Sequence, residues 1–166
     1  MQNNVLTAER LRELLHYDPE TGLFTRLASR TTPRLGRVVK GGDNGDGYGR
    51  VTLDGRRHYL HRLAWLYMTG AWPTQEIDHC DGDQSNNRWS NLRDVPVQVN
   101  RQNRRAAERT SVTQVLGVTV CARTGKFVAQ ITNHNRNVYL GRFNTAPEAH
   151  DAYIRAKRQM HAGCTL

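Results

Sequence analysis

The sequence predicts an α+β protein in which small antiparallel sheets are combined with short helices. Between residues 75 and 107 a short strand (75–77), a polar loop, a second strand (92–95) and a helix (97–107) follow one another. Pro96 suits the first turn of that helix, where its missing N–H is not needed. After residue 116, three short alternating segments separated by turns precede one further helix. A hydrophobic fraction of 37% and 14 glycines favour such small, loop-rich modules over one large core.

The N-terminal part supplies the elements that precede the strand–loop–strand–helix segment. Asp54-Gly55 is a strong two-residue hairpin signal between alternating segments. The expected elements are a helix from an N-cap at Thr7 to about His16, a strand at Leu23–Arg26, a hairpin of Tyr48–Leu53 with Arg56–Leu60, and a helix at His61–Met68.

Residues 29–47 are poor in apolar side chains and are predicted to form a loop. Two interpretations of this loop stay open: its basic side chains line DNA, or it is a plain solvated loop. The basic residues concerned are Arg30, Arg34, Arg37 and Lys40.

Asp78 and His79 are adjacent, and Asn100 lies on the predicted helix 21 residues after His79. A strand, a loop, a strand and a helix would bring the three side chains close together. The oxygens of Asp78 and Asn100 suit a hard cation such as Mg²⁺, which also binds substrate phosphate. The imidazole of His79 can take a proton from an attacking water near neutral pH. The set favours metal-assisted phosphodiester hydrolysis, and the alternative from spacing alone is a polar surface hairpin.

The segment DHCDGDQSNNRWSNLR, followed by VQVNRQNRR, resembles the HNH endonuclease motif of phage-encoded homing endonucleases. The resemblance implies a ββα-metal fold with Mg²⁺ (or Mn²⁺) as cofactor. It implies that His79 is the general base and that Asp78 and Asn100 hold the metal. Asn91 matches the middle Asn of the motif, which braces the loop at the catalytic site.

Two earlier phrases, YDPETGLFTR and HRLAWLYMTGAWP, resemble segments that precede the motif in the same family. The second phrase contains His61, which is a candidate for a second catalytic His. A structural or DNA-backbone role is favoured for His61 because it lies outside the motif.

The positive charge is concentrated in the C-terminal part of the chain. The net charge is +9, and residues 101–166 hold 11 Lys and Arg against 3 Asp and Glu. Residues 1–100 are nearly balanced, with 13 against 12. This distribution favours duplex DNA as the partner of the C-terminal part. Most of the basic residues are Arg, which makes bidentate phosphate and guanine contacts, although a basic surface kept for solubility is an alternative.

The three cysteines, Cys80, Cys121 and Cys164, are widely spaced and form no C-x-x-C pair. Neither a structural zinc site nor a disulfide framework is therefore predicted. A zinc site of Cys80 with His79, His58 and His61 stays open as an alternative. The chain has no apolar stretch long enough for a membrane helix and no signal-peptide pattern, so we expect a cytoplasmic protein, in the host bacterial cell if it is phage-encoded.

The C-terminal region predicts strands at Gly117–Val120, Lys126–Ile131 and Val138–Phe143, then a helix capped by Thr145. This region resembles the plant APETALA/ethylene-response-factor DNA-binding domain, which also occurs fused to phage HNH endonucleases. The resemblance rests on Gly117-Val118, Gly125-Lys126-Phe127, Ala129, Ile131, Leu140-Gly141, Phe143, Thr145, Glu148-Ala149, Ala152-Tyr153 and Ala156.

In that family the sheet enters the major groove of DNA. The present sequence departs from the plant pattern, because Thr119, Cys121 and Thr132 stand where a DNA-contacting Arg is usual. Phe127 and Tyr139 replace Trp. The resemblance therefore implies affinity for DNA and not the plant family's sequence preference.

The expected function is that of a homing-type DNA endonuclease that nicks or cuts duplex DNA. The expected domains are a nuclease domain at 1–108 with its core at 75–107, a linker at 109–115, and an APETALA/ERF-like DNA-binding domain at 116–166. The expected DNA contacts are Arg93, Arg101, Arg104, Arg105, Arg109, Arg123, Lys126, Gln130, Arg136, Tyr139 and Arg142.

The competing interpretation is a non-enzymatic DNA-binding transcriptional regulator whose nuclease hairpin has decayed. The complete Asp78, His79 and Asn100 set favours the enzyme. A monomer with one active site would most simply nick, whereas a double-strand cut needs a dimer or sequential nicks.

Overall fold

A computed structural model describes residues 5–27, 36–42, 45–107 and 110–165. Arg30, Arg34 and Arg109 lie outside the described residues. Within them the fold is mixed α/β, with four α-helices and four small antiparallel sheets. The helices are α1 (Ala8–Leu14), α2 (Leu60–Thr69), α3 (Val97–Gln102) and α4 (Ala146–Met160). The strands are β1 (Leu15–Asp18), β2 (Leu23–Arg26), β3 (Arg50–Leu53), β4 (Arg56–Tyr59), β5 (Glu76–His79), β6 (Leu92–Val95), β7 (Val118–Val120), β8 (Phe127–Asn133) and β9 (Arg136–Phe143).

The chain divides into two compact units, Met1–Pro96 and Val97–Leu166. Helix α3 therefore groups with the C-terminal part of the chain, although the sequence assigned it to a nuclease domain that ends at residue 108. The predicted domain limits and the linker at 109–115 stay a prediction.

The first unit is built around one apolar core. Its most buried side chains include Leu11, Tyr17, Phe24, Leu63 and Leu66. They come from α1, the β1–β2 hairpin and α2, each of which presents one apolar face to the others. The hairpin β3–β4 leads directly into α2, which ends at Gly70 in the left-handed conformation.

Helix α1 begins as predicted and ends earlier. The Thr7 hydroxyl accepts a hydrogen bond from the N–H of Arg10 at 3.2 Å, so the N-cap is confirmed. The predicted continuation to His16 is wrong, because Leu15 adopts an extended backbone and opens β1. Leu15 and Tyr17 are buried while His16 is exposed, which is the alternation of a strand and not of a helix.

The β5–β6 hairpin carries the predicted site. Asp78 lies opposite Arg93, and His79 lies opposite Leu92. Asp78 and His79 are thus inside the strand, whereas the predicted strand ended at Ile77. A loop from residue 80 joins the two strands and ends in a short 3₁₀ turn, Trp89–Asn91.

The second unit contains the predicted three-stranded sheet, in the order β7-β8-β9, with α4 packed on one face. The Thr145 hydroxyl accepts the N–H of Glu148, and the Glu148 carboxylate in turn accepts the N–H of Thr145. This reciprocal capping confirms the predicted start of the helix. Ala149, Tyr153 and Ala156 form its buried face.

Helix α3 is shorter than the predicted 97–107. It ends at Gln102, and the Asn103 N–H bonds the Asn100 carbonyl at 3.0 Å in a tighter turn. The Asn103 side chain accepts a hydrogen bond from Thr165. No residue of α3 is buried, so no apolar face holds the helix together beyond this point.

Candidate active site

Strand β5 holds Asp78 and His79 in the interior, where they are 5% and 4% exposed. Tyr48, just before β3, lies near both. Its ring centroid is 5.9 Å from that of His79. Burial raises the pKa of the Tyr48 hydroxyl above its usual value, and the nearby charges, that of Asp78 first, add to the increase. Asp78 and His79 therefore belong to one enclosed region of the first unit.

The carboxylate of Asp78 is paired across the hairpin with Arg93. Nε and Nη2 of Arg93 donate to Asp78 Oδ2 at 2.8 and 2.6 Å. Charged hydrogen bonds of this length orient a carboxylate as well as neutralising it. The sequence predicted a DNA contact for Arg93, and no signal in it indicated this partner. The contact between Arg93 and DNA stays a prediction.

The imidazole of His79 is oriented by Asn87. His79 Nε2 lies 3.2 Å from Asn87 Oδ1, in a buried position. An amide oxygen only accepts hydrogen bonds, so Nε2 carries the proton, and Nδ1 carries the lone pair of the neutral ring. A base must present such a lone pair, and the bond thus selects the nitrogen that can act. The sequence analysis did not identify Asn87.

Asn91 is bonded to the loop that joins β5 and β6. Its amide nitrogen donates to Asp81 Oδ1 at 2.9 Å and to the Asn86 carbonyl at 2.8 Å. Its amide oxygen accepts the N–H of Asp81 at 2.9 Å. Its backbone carbonyl accepts the N–H of Cys80 at 2.9 Å. These are the contacts that a loop-bracing role requires, and the role itself stays a prediction.

His61 lies beside the site on α2 and is 8% exposed. Its ring centroid is 5.4 Å from His79, 5.0 Å from Tyr48 and 5.3 Å from Tyr59. Burial, then the charges of His79 and Arg62, lower the pKa of His61 to about 3. His61 is therefore neutral near pH 7 and packs within a cluster of rings, which argues against a contact with the DNA backbone.

The alternative of a zinc site receives no support from the structure. Among the described residues, no group of three or more His, Cys, Asp or Glu side chains is arranged to hold a metal ion. The sequence-predicted pair of Asp78 and Asn100 does not depend on such a group. Asn100 is half-buried on α3, in the second unit, so its approach to Asp78 stays a prediction.

The predicted DNA contacts of the second unit that lie within the described residues are all exposed. Gln130 lies opposite Tyr139, and Val128 lies opposite Arg142, on the face of the sheet that α4 does not cover. Tyr139 is 62% exposed, unusually open for an aromatic side chain. The other exposed members are Arg101, Arg104, Arg105, Arg123, Lys126 and Arg136. Of these, Arg105 also donates to the hydroxyl of Thr165 at 2.8 Å.

Within the part of the chain that the structure covers, no helix has the length and apolar character to cross a membrane.

Residues 58–102 match the model of a protein family described as HNH endonuclease. Neither a curated protein nor a solved structure matches the chain. The matched segment contains α2, the β5–β6 hairpin with Asp78 and His79, and α3. The stretch from residue 58 to residue 102 is therefore an HNH endonuclease family domain.

Proposed function

We propose that this protein is a metal-dependent DNA endonuclease of the homing type, with His79 as its general base. The observation that carries the proposal is the setting of His79. It lies beside Asp78 in a segment that matches the HNH endonuclease family, with Nε2 bonded to Asn87. Nδ1 is then the nitrogen with basic character, and an oriented imidazole of this kind is suited to take a proton from a water within hydrogen-bond reach.

Hydrolysis forms a bond between the water oxygen and phosphorus and breaks the bond to one of the two ester oxygens of DNA. In the proposed reaction His79 Nδ1 takes the proton of the attacking water. Nε2 keeps its own proton and donates it in a hydrogen bond to the Asn87 amide oxygen, so the ring stays oriented throughout. Asn91 holds the loop that supplies Asn87.

The donor set fits a hard divalent cation such as Mg²⁺ or Mn²⁺. Asp78 offers a carboxylate oxygen, and Asn100 would offer an amide oxygen from α3. When bound, the cation supplies positive charge at the phosphate and at the leaving oxygen. Arg93 already donates to Asp78, so the guanidinium and the cation would share one carboxylate.

The second unit would hold the DNA duplex through the open face of its sheet. Gln130, Tyr139 and Arg142 are exposed there, and Lys126 is exposed just before β8. The resemblance to the APETALA/ERF domain assigns DNA binding to this sheet. The excess of 11 Lys and Arg over 3 Asp and Glu after residue 100 supports the same assignment. We expect phosphate contacts to dominate the affinity.

The experiment compares His79→Ala with the unchanged chain in plasmid nicking and in gel-shift binding, with Mg²⁺ and with EDTA. We expect nicking to require the metal and to disappear in His79→Ala, while the dissociation constant for DNA changes by less than about threefold, since a group that only activates water contributes little to binding. His16→Ala, at an exposed position of β1, is the control and should nick normally. Normal nicking by His79→Ala would refute the general-base assignment. Nicking that persists in EDTA would refute the proposed requirement for a metal ion.

A further inference from the structure

The loop between β5 and β6 contains Asn87, which orients His79 in the proposed mechanism and is itself held by further contacts. Asn87 is 6% exposed. Its Oδ1 faces His79 Nε2 at 3.2 Å, and its Nδ2 donates to the Ser85 carbonyl at 3.3 Å. The second bond decides the orientation of the amide, because only the NH₂ group can donate to a carbonyl. The oxygen is thereby directed to His79.

The backbone of Asn87 is in turn held by the N-terminal hairpin. The Tyr17 hydroxyl donates to the Asn87 carbonyl at 2.7 Å, a buried bond between residues that are 70 positions apart. Tyr17 is 1% exposed, and its ring packs on Phe24 and Tyr67 at centroid distances of 4.8 and 5.7 Å. A ring enclosed in this way holds its hydroxyl at one place.

The contact between hairpin and loop extends over neighbouring residues. The N–H of Trp89 donates to the Pro19 carbonyl at 3.0 Å. Gly22 lies against the peptide bond that joins Asn87 to Arg88, so closely that a Cβ there would be 2.5 Å from the Arg88 nitrogen. The turn between β1 and β2 is thus fitted to the backbone on both sides of the Asn87 carbonyl.

We propose that Asn87 is the positioning residue of His79, and that Tyr17 on the N-terminal hairpin holds Asn87 in place. The proposal rests on the proposed function, in which His79 is the base. Tyr17, Pro19 and Gly22, which lie outside the segment matched to the HNH family, then have a part in the reaction: they fix the loop that orients the imidazole. Asn87 touches neither the water nor the phosphate in this scheme.

The first test uses Asn87→Ala and Asn87→Asp. The alanine removes the acceptor of the His79 proton, whereas the aspartate keeps an oxygen at that place. We expect kcat for nicking to fall by about 10- to 100-fold in Asn87→Ala, by analogy with the cost of removing the partner that orients a metal-bound imidazole. Asn87→Asp should recover most of that loss, and the dissociation constant for DNA should change little in either variant. Equal losses of kcat in both variants would overturn the proposal.

The second test uses Tyr17→Phe, which removes only the hydroxyl and keeps the ring. We expect a smaller fall in kcat, with DNA binding unchanged. Tyr67→Phe, which likewise removes only a hydroxyl and keeps the ring packed beside Tyr17, is the matched control and should keep its kcat. Identical kcat values for Tyr17→Phe and the unchanged chain would refute the part assigned to the hairpin.

The third test detects the hydrogen bond between His79 and Asn87 directly, without measuring nicking. The Nε2 proton of His79, buried and hydrogen-bonded, should give a slowly exchanging downfield proton signal in the NMR spectrum. We expect the signal to be lost in Asn87→Ala, to exchange faster in Tyr17→Phe, and to persist in Asn86→Ala, which removes a different loop bond, to Asp81. If the unchanged chain does not cut DNA, the proposed function fails while this signal still tests the contact. A signal that persists in Asn87→Ala would overturn the positioning role.

Discussion

His61 is a histidine that folding keeps uncharged. Burial, then the charges of His79 and Arg62, lower its pKa to about 3 from an ordinary value of 6.5. The unfolded chain therefore binds a proton at this residue at a pH where the folded chain does not. Protonation thus favours unfolding, so the contribution of His61 to stability is complete above about pH 6.5 and is lost as the pH falls from there towards 3.

We predict that His61→Gln flattens the pH dependence of the free energy of unfolding between pH 6.5 and 5. The neutral histidine accounts for at most about 1.4 kcal/mol per pH unit in that window. Urea unfolding at pH 7, 6 and 5 measures the slope. His16→Gln, on an exposed residue of β1, should leave the slope unchanged. A slope in His61→Gln as steep as in the unchanged chain would show that His61 does not titrate in this way.

The pairing of Asp78 with Arg93 leads to a prediction about the metal. In Arg93→Gln the nearly buried carboxylate loses two hydrogen bonds, and we expect the free energy of unfolding to fall by about 1–3 kcal/mol. A cation bound at Asp78 would replace part of the lost positive charge. Mg²⁺ should therefore raise the melting temperature of Arg93→Gln more than that of the unchanged chain.

Arg88→Gln, on an exposed residue of the neighbouring loop, removes the same charge and serves as the control. It should respond to Mg²⁺ like the unchanged chain. If all three proteins respond alike, Asp78 is not a metal ligand.

At the scale of elements, the turn between β1 and β2 and the turn between β3 and β4 offer a matched pair of glycines. Gly22 and Gly55 have φ values of +74° and +79°, so alanine is strained to the same extent at both, at a cost of about 1 kcal/mol. A Cβ at Gly55 meets nothing within 4 Å, whereas one at Gly22 lies 2.5 Å from backbone atoms of Asn87 and Arg88.

We predict that Gly22→Ala destabilises the protein by roughly 1–3 kcal/mol more than Gly55→Ala, the usual cost of overpacking. Nicking by Gly22→Ala should also fall when the protein is assayed below its melting temperature, because the displaced loop carries Asn87. Chemical denaturation of the two variants side by side gives the difference. Equal losses of stability would mean that the loop around Asn87 moves to accommodate the added Cβ at no cost in free energy.

Most helices and strands could be predicted because the residues that indicate them lie close together in the sequence. Thr145 and Glu148 cap α4 from within its own first turn, and Asp54-Gly55 forms the predicted hairpin turn with both φ values positive. The errors lie at the ends of elements. Residues 15 and 16 satisfy either a helix or a strand by spacing alone, and the pairing of β1 with β2 decides between them. Helix α3 ends early because it buries no residue of its own.

At the scale of the whole molecule, the concentration of basic residues after residue 100 predicts which part of the chain makes the DNA affinity depend on salt. Lys126→Gln combined with Arg142→Gln removes two exposed charges, one just before β8 and one on β9. Each lost phosphate contact should reduce the salt slope of the logarithm of affinity by about 0.9. Fluorescence anisotropy on one duplex over a series of salt concentrations measures the slope.

Arg155→Gln combined with Arg158→Gln is the control, because it removes the same net charge from exposed positions on α4. This control pair should leave the slope nearly unchanged. Equal reductions in both pairs would indicate attraction by net charge alone and would contradict a DNA-binding face on the sheet.

The sequence by itself determined the nuclease motif, the separate C-terminal sheet with its capped helix, and the concentration of basic charge after residue 100. Each follows from spacing, capping or composition, which act over a few residues or over the chain as a sum. The tertiary structure alone decided that Arg93 pairs with Asp78 and that His61 is enclosed by rings. It also decided that Asn87 contacts both Tyr17 and His79. The contacts of Tyr17 and His61 join elements that are distant in the chain, and no local pattern encodes them. The contacts of Arg93 and Asn87 are closer in sequence, but they depend on the register of the β5–β6 hairpin and on the course of its loop.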